Sequence, residues 1–289
     1  MNPKRILVTG SNGQLGQTLQ EMAPVEKGLE FVFLDRHSLS IEQHQTLFNY
    51  LSLVRFDYCI NTAAYTAVDL AESERDLAYQ VNATAVEKLA LACRENQVKL
   101  IHLSTDYVFA GNSSIPYRES DTTDPVNYYG YTKRRGEELS QALNPDIVIL
   151  RTSWLYSPFG KNFVKTMLRL MTQRETLKVV DDQKGSPTYT FDLADAILFI
   201  IKSHSWKAGI YHYCNEGAIS WFEFAESIRA SSKSDCKLYP IPTTEFPTPA
   251  KRPHFSVLDC HKIQEAFGIG QQPWKLRLED CLRKLRELE

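Results

Sequence analysis

Short unbroken apolar runs alternate with segments of helical periodicity through the first half of the chain. Arg5-Ile6-Leu7-Val8-Thr9 is such a run, and it ends in a glycine-rich turn. A run of this kind predicts a strand covered on both faces. Residues 14–22 follow as a helix whose N-terminus points back at the turn. Residues 30–35, 57–61, 98–103 and 147–150 predict four further strands. Residues 77–96, rich in Ala, Val and Leu, predict one long helix. Strands alternating with helices at this rhythm predict an α/β fold with a doubly wound parallel sheet and right-handed crossovers.

Beyond Arg151 the pattern changes. Residues 164–171 have helical spacing, Lys184-Gly185-Ser186-Pro187-Thr188 reads as a turn, and residues 191–201 predict another helix with an acid near its start. Pro240, Pro242, Pro247, Pro249 and Pro253 confine their span to extended loop. Leu278, Cys281, Leu282, Leu285 and Leu288 form the apolar stripe of a last amphipathic helix. The expectation is a larger domain over residues 1–153. Residues 154–289 then form mainly a smaller C-terminal lobe across the carboxyl ends of the strands, with some segments returning to the first domain.

Composition narrows the function classes. A net charge of −2 gives no reason to expect nucleic acid or a membrane surface as partner. The opening Met1-Asn2-Pro3-Lys4-Arg5 runs straight into an apolar run too short for a signal peptide or a bilayer span. Six scattered cysteines without a Cys-x-x-Cys pair read as buried free thiols in a reducing, cytoplasmic setting. The seven histidines have no ligand spacing and read as surface or packing residues, so no metal site is assigned from them.

Two local constellations carry chemistry. Gly10, Gly13 and Gly16 follow a strand and open a helix, the context in which a glycine turn seats a pyrophosphate against a helix N-terminus. Asp35 ends the second strand about twenty residues on, where a carboxylate meets an adenosine ribose. Arg36 beside it suits a 2′-phosphate instead, so NADH and NADPH both remain open. Tyr129 and Lys133 stand four positions apart on one helical face, where an ammonium can lower the pKa of a phenol for proton transfer to an alcohol oxygen. Thr105 and Asp106 lie at the carboxyl edge of the fourth strand, where ligands bind in open α/β sheets. Asp106 reads equally as the cap of a neighbouring turn. Together these features describe a nicotinamide-dependent oxidoreductase, with residues 1–153 as its NAD(P)-binding Rossmann-like domain and the lobe as its substrate-binding part.

With Thr105, Tyr129 and Lys133, the chain resembles the extended short-chain dehydrogenases/reductases. More closely, it is similar to the dTDP-4-dehydrorhamnose reductases over nearly its whole length. The motifs that carry this are Asn61-Thr62-Ala63-Ala64-Tyr65-Thr66-Ala67-Val68-Asp69, Arg151-Thr152-Ser153-Trp154, Asp182-Gln183-Lys184-Gly185-Ser186-Pro187-Thr188 and Arg252-Pro253. The resemblance implies a dTDP-sugar substrate and NADPH or NADH as cofactor. It implies that Gly13, Gln14 and Leu15 touch the pyrophosphate, and that Ala63, Ala64, Tyr65 and Thr66 line the cofactor channel, with Leu103 beneath the nicotinamide. Asp35 would meet the adenosine side, with Ser40-Ile41 standing where the family carries an acid and an apolar residue near the adenine. Thr105 and Asp106 would orient the ketosugar and Trp154 would pack on it. Tyr129 would be the proton donor, and Lys133 would bond the nicotinamide ribose. The resemblance further implies a homodimer for some members, through Mg²⁺ held by glutamates that have no assigned counterparts here.

Three rivals share the fold. A nucleotide-sugar dehydratase needs an acid/base couple after the Thr, and here Tyr107 follows Asp106. A sibling ketoreductase for another dTDP-4-keto-6-deoxysugar differs by one or two pocket side chains. A non-catalytic regulatory subunit of this fold is disfavoured by the intact Thr105, Tyr129, Lys133 set and the complete glycine turn.

Overall fold

The computed structural model describes residues 3–203 and 205–288, so Met1 and Asn2 of the opening segment lie outside the described residues. Strand β1 (Lys4–Thr9) leads through the glycine turn into helix α1 (Gln14–Met22) and on to β2 (Leu29–Leu34). Helix α2 (His44–Leu53), for which the sequence pattern gave no expectation, returns the chain to β3 (Tyr58–Asn61). Helix α3 (Arg75–Tyr79) passes through a π turn at Gln80–Thr84 into α4 (Ala85–Glu95). Then come β4 (Lys99–Thr105), α5 (Tyr128–Leu143) and β5 (Val148–Thr152). The long helix expected over residues 77–96 is therefore interrupted. A π turn inserts a residue into the ladder, and such turns gather at functional sites.

The lobe opens with β6 (Leu155–Tyr156), α6 (Phe163–Gln173) and β7 (Thr176–Val180). The segment expected to be a plain turn at 184–188 forms two short strands, β8 (Lys184–Gly185) and β9 (Thr188–Tyr189). They pair with partners distant in sequence, a long-range effect that turn chemistry does not encode. Helix α7 (Thr190–Lys202) and β10 (Gly209–His212) follow. After them come β11 (Ile219–Ser220), α8 (Trp221–Ser232), β12 (Lys237–Ile241), α9 (His261–Phe267) and α10 (Trp274–Leu288). Between β12 and α9 the proline-rich span is mostly loop, as expected.

The main sheet runs β10-β5-β4-β3-β1-β2, every pair parallel. Its edge strand β10 comes from the second half of the chain and pairs Gly209 with Val148 through His212 with Arg151. Side chains alternate across the sheet. Ile6, Val8, Ile60, Ile101 and Val148 face α1 and α7, packing with Leu15, Leu19, Leu193 and Ile197. Leu7, Cys59, Leu100 and Ile149 face the other way, with Leu47, Leu51 and Leu89 of α2 and α4. Burial on both faces explains why these strands read as unbroken apolar runs. A separate cluster around Tyr156, Val164, Phe224, Trp274 and Leu278 forms the core of the lobe. All six cysteines are buried and free. No described helix is long and apolar enough to cross a membrane.

Strand order reverses direction between β1 and β3. That switch point opens a crevice beyond the carboxyl ends of the strands, where open α/β sheets bind their ligands.

Candidate active site

The glycine turn sits at this crevice. Gly10 has φ +70°, and a Cβ there would lie 2.5 Å from the Ala63 nitrogen in the loop after β3. A Cβ on Gly16 would lie 2.5 Å from the Ser11 carbonyl oxygen. Any larger residue at either position pushes the turn off the sheet, so a backbone cradle open to a pyrophosphate survives only with glycine. Gly13 is the N-cap of α1 and has no side chain to satisfy the first N–H groups, which are left for an anion. Leu15 is buried in the core beneath the turn. Gln14 instead reaches the lobe: its Oε1 accepts from Ser157 Oγ and Asn162 Nδ2, each at 3.0 Å. Thus the turn and the loop before α6 are tied together.

Beyond β2, Asp35 is engaged by its own turn. Oδ1 accepts from the His37 and Ser38 N–H groups at 3.0 and 2.7 Å, and Oδ2 accepts from Asn12 Nδ2 at 2.7 Å. Hydrogen bonds led by that of the Ser38 N–H hold its carboxyl down at about 2. Arg36 is largely exposed and meets only Glu42, at 3.5 Å. Ser40 Oγ also bonds Glu42. Ile41 is buried in the core cluster with Leu39 and Leu47. After β3, Ala63, Ala64 and Tyr65 are half-buried and Thr66 is exposed. Asn82, in the π turn, pins this loop: Oδ1 accepts from the Tyr65 N–H at 2.8 Å and Nδ2 donates to the Tyr65 carbonyl and to Thr132 Oγ1, each at 3.0 Å.

Helix α5 begins at Asn127, whose Oδ1 caps the Gly130 N–H at 2.8 Å. This sets Tyr129 in the first turn, edge-on to Tyr107 with ring centroids 5.9 Å apart. Burial pushes the Tyr129 phenol up to about 12, while the Thr105 hydroxyl acts in the opposite direction. The expected lowering of this phenol by Lys133 is therefore not met. The Lys133 amine is buried and donates to the Leu103 carbonyl at 2.6 Å, and burial brings it down to about 8. Tyr128 is half-buried and Tyr131 exposed. They form a surface cluster with Tyr79, and the Arg75 guanidinium lies 4.6 Å from the Tyr128 ring.

Thr105 ends β4. It accepts from the Tyr107 N–H at 3.2 Å and donates to Asp106 Oδ1 at 3.0 Å, so Thr105, not Asp106, caps the following turn. Asp106 is 2 % exposed, and its Oδ2 has no partner. Burial raises this carboxyl to about 6. A raised carboxyl stabilises the fold below its unfolded value near 3.8, and that contribution is lost as pH rises through about 6. Above that pH the charge opposes folding. Asp106→Asn is therefore expected to gain about 1–3 kcal/mol in denaturant unfolding at about pH 7 and nothing at about pH 4. A loss of stability at the higher pH contradicts this.

Lobe residues complete the wall. Trp154 adopts φ +46°, an uncommon left-handed conformation for a large side chain. Its ring stacks on Trp221 at 3.5 Å between centroids, and a Cβ on Gly185 would lie 2.6 Å from its Cε2. Ser153 Oγ donates to the Ser186 carbonyl at 2.6 Å, so Trp154 and the 184–188 segment are held as a unit. From the proline-rich loop, Arg252 reaches Asp69 with bonds of 3.1 and 2.8 Å, and Asn127 Nδ2 donates to the Lys251 carbonyl at 2.8 Å. The loop thereby latches onto the first domain beside Tyr129.

Several polar residues here had no sequence signal. Glu137 and Arg151 form a buried bidentate pair, Nε to Oε1 at 2.9 Å and Nη2 to Oε2 at 2.7 Å. Asn61, at the end of β3, meets His102 of β4 at 2.9 Å, and His102 in turn faces Lys133 at 3.4 Å. His102 is fully buried and hydrogen-bonded, so of the surface and packing readings it takes the packing one. Asn61 and Arg151 each stood in a motif of the sequence, but neither motif pointed to these partners. Among the described residues no group of three or more His, Cys, Asp or Glu side chains is placed to hold a metal ion.

A glycine turn at the switch point of a parallel sheet, with Thr105 ending β4 and Tyr129 and Lys133 in the first turns of α5, defines a class: the Rossmann-like folds of short-chain dehydrogenase/reductase type. The chain belongs to the family of the RmlD substrate binding domain, whose model matches residues 4–287. It is 41% identical over 286 residues to a dTDP-4-dehydrorhamnose reductase of Aggregatibacter actinomycetemcomitans, covering 96% of this chain and 97% of that one. Among solved structures, a dTDP-4-dehydrorhamnose reductase of Clostridium acetobutylicum superposes with a TM-score of 0.94 at 39% identity, covering 98% of this chain and 99% of the other. One from Bacillus anthracis, solved in complex with NADP, gives 0.93 at 40% identity with the same coverage.

Proposed function

We propose that the protein reduces the C4 ketone of dTDP-4-dehydro-L-rhamnose to dTDP-L-rhamnose, with Tyr129 as the proton donor. The observation that carries this is the gathering of Thr105, Tyr129 and Lys133 at the carboxyl end of β4, beside a cradle that admits a dinucleotide. Full-length similarity to reductases of that name supports the sugar. NADPH or NADH, when bound, supplies the hydride.

The chain's own contribution is binding, orientation and proton supply. Gly10, Gly13 and Gly16 admit the pyrophosphate, and the free N–H groups at the start of α1 bond it. A phenol pushed up to about 12 remains protonated at neutral pH, so Tyr129 is loaded to donate to the developing C4 alkoxide. Thr105 Oγ1, turning its hydrogen from Asp106 Oδ1 to the substrate, donates to the same oxygen and fixes the ketone against Tyr129. Lys133 holds the nicotinamide ribose. The unpartnered Asp106 Oδ2 accepts from a sugar hydroxyl, and the rigid Trp154 face packs on the sugar ring. Tyr107, not a second carboxylate, follows Asp106, and burial drives its phenol further up. The acid/base couple that water elimination requires is thus not built at that position.

Incubation with the ketosugar and NADPH should give a product whose proton couplings are those of the rhamno configuration. A talo-configured product would assign the sibling reductase instead. Cofactor choice turns on Arg36, whose guanidinium is held only by Glu42, while the Asp35 carboxylate is taken up by its own turn. Arg36→Ala is expected to raise KM for NADPH roughly tenfold and to leave KM for NADH within about twofold. Equal changes for both cofactors would remove Arg36 from the 2′-phosphate.

A further inference from the structure

A buried polar chain runs under the site from β1 to α5, and its hydrogens can be counted. Asn61 Oδ1 accepts from Thr9 Oγ1 at 2.7 Å and from the Ala63 N–H at 3.2 Å. A backbone N–H only donates, so the atom facing Ala63 is the oxygen and the amide nitrogen must face His102. That nitrogen lies 2.9 Å from His102 Nδ1, which therefore accepts. A neutral imidazole accepting at Nδ1 carries its proton on Nε2. Nε2 in turn lies 3.4 Å from Lys133 Nζ, whose other contact is the Leu103 carbonyl at 2.6 Å. Asn61 and His102 have no exposed surface and Lys133 is 1 % exposed, so water does not screen the chain.

We propose that His102 is a positioning residue for Lys133: its Nε2–H, aimed by Asn61, sets how readily the buried amine facing it gives up its proton. An ammonium there would put its hydrogens against the imidazole N–H. A neutral amine instead accepts that N–H while still donating to Leu103. The dipole thus favours the neutral amine, and burial acts in the same direction. Burial above all holds His102 well below its ordinary value, with any charge on Lys133 acting the same way, which keeps the ring neutral; the Asn61 bond fixes its tautomer. Opposing charge comes from Glu137, one turn further along α5, which is itself paired with Arg151 of β5. From β1 and β3 the facing groups are Thr9 and Asn61, neither of which titrates. The His102 dipole and burial thus both ease loss of a proton from Lys133. Its bearing on turnover rests on the role given to Lys133 above.

The test reads Lys133 directly. The 13Cε resonance of Lys133 is followed against pH in wild type, His102→Leu and His102→Gln, with Lys133→Arg to assign it. His102→Leu removes the dipole and is expected to raise the midpoint by about half a pH unit or more. His102→Gln restores an N–H near the position of Nε2 and should return the midpoint to within about 0.3 units of wild type. An unchanged midpoint in His102→Leu overturns the proposal. Should that variant not fold, 15N shifts of the wild-type histidines decide: a neutral Nε2–H tautomer supports it, and an Nδ1–H tautomer overturns it. None of these readings requires turnover. If the Lys133 midpoint moves while the alkaline limb of kcat/KM stays, the proposal for His102 stands and the catalytic reading of Lys133 fails.

Discussion

Replacing Tyr129 by Phe is expected to lower kcat by about 10²–10⁴-fold while NADPH affinity changes by less than about threefold. The phenyl ring keeps its edge-on contact with Tyr107 and its place in the first turn of α5, so the fold and the cradle are undisturbed. What disappears is the hydroxyl proposed to deliver the proton to the C4 oxygen. Because that proton is needed only as charge develops on the oxygen, the loss falls on kcat rather than on binding. Stopped-flow turnover with cofactor titration in parallel measures both quantities. A variant within about tenfold of wild-type kcat would assign the proton to another group.

The second large effect is on stability. Glu137→Ala is expected to destabilise the protein by about 3–5 kcal/mol in denaturant unfolding, since it strands the Arg151 guanidinium. Arg151 is 3 % exposed, both of its bonds to a side chain go to Glu137, and its Nη1 already lacks a partner. The Phe109 ring 5.0 Å from the guanidinium offers weak compensation. Glu137→Gln keeps one acceptor and should cost less than Glu137→Ala. A loss under about 1 kcal/mol in the alanine variant would mean that water or a rearranged side chain reaches Arg151. Glu137 also supports the charged form of Lys133, so Glu137→Gln should move the Lys133 midpoint down, opposite to His102→Leu.

Features encoded over a few neighbouring residues were legible in the sequence. The glycine turn, the strand before it and the helix after it occupy residues 4–22 and declare themselves by local geometry. The spacing of Tyr129 and Lys133 is likewise a property of one helix. Contacts that depend on register across the sheet were not legible. Asn61 meets His102 because β3 and β4 pair those residues side by side, across 41 positions of sequence. Arg151 of β5 reaches Glu137 of α5 across 14 positions of sequence. The edge strand Gly209–His212 and the two-residue strands at 184–189 are too short to carry a period, and only their distant partners define them. Burial explains the remaining error. The offset between Tyr129 and Lys133 suggested a phenol lowered by an ammonium, whereas desolvation dominates and moves the phenol up and the amine down.

We propose hydride transfer to a dTDP-4-ketosugar with Tyr129 supplying the proton. The most direct measurement is loss of the reduced-nicotinamide absorbance on adding enzymatically prepared dTDP-4-dehydrorhamnose, with NADPH and then NADH, in wild type and Tyr129→Phe. Oxidation that requires both sugar and wild-type protein, and nearly vanishes in the variant, is the predicted result. Cofactor binding with no sugar-dependent oxidation, or equal oxidation by both proteins, would contradict it.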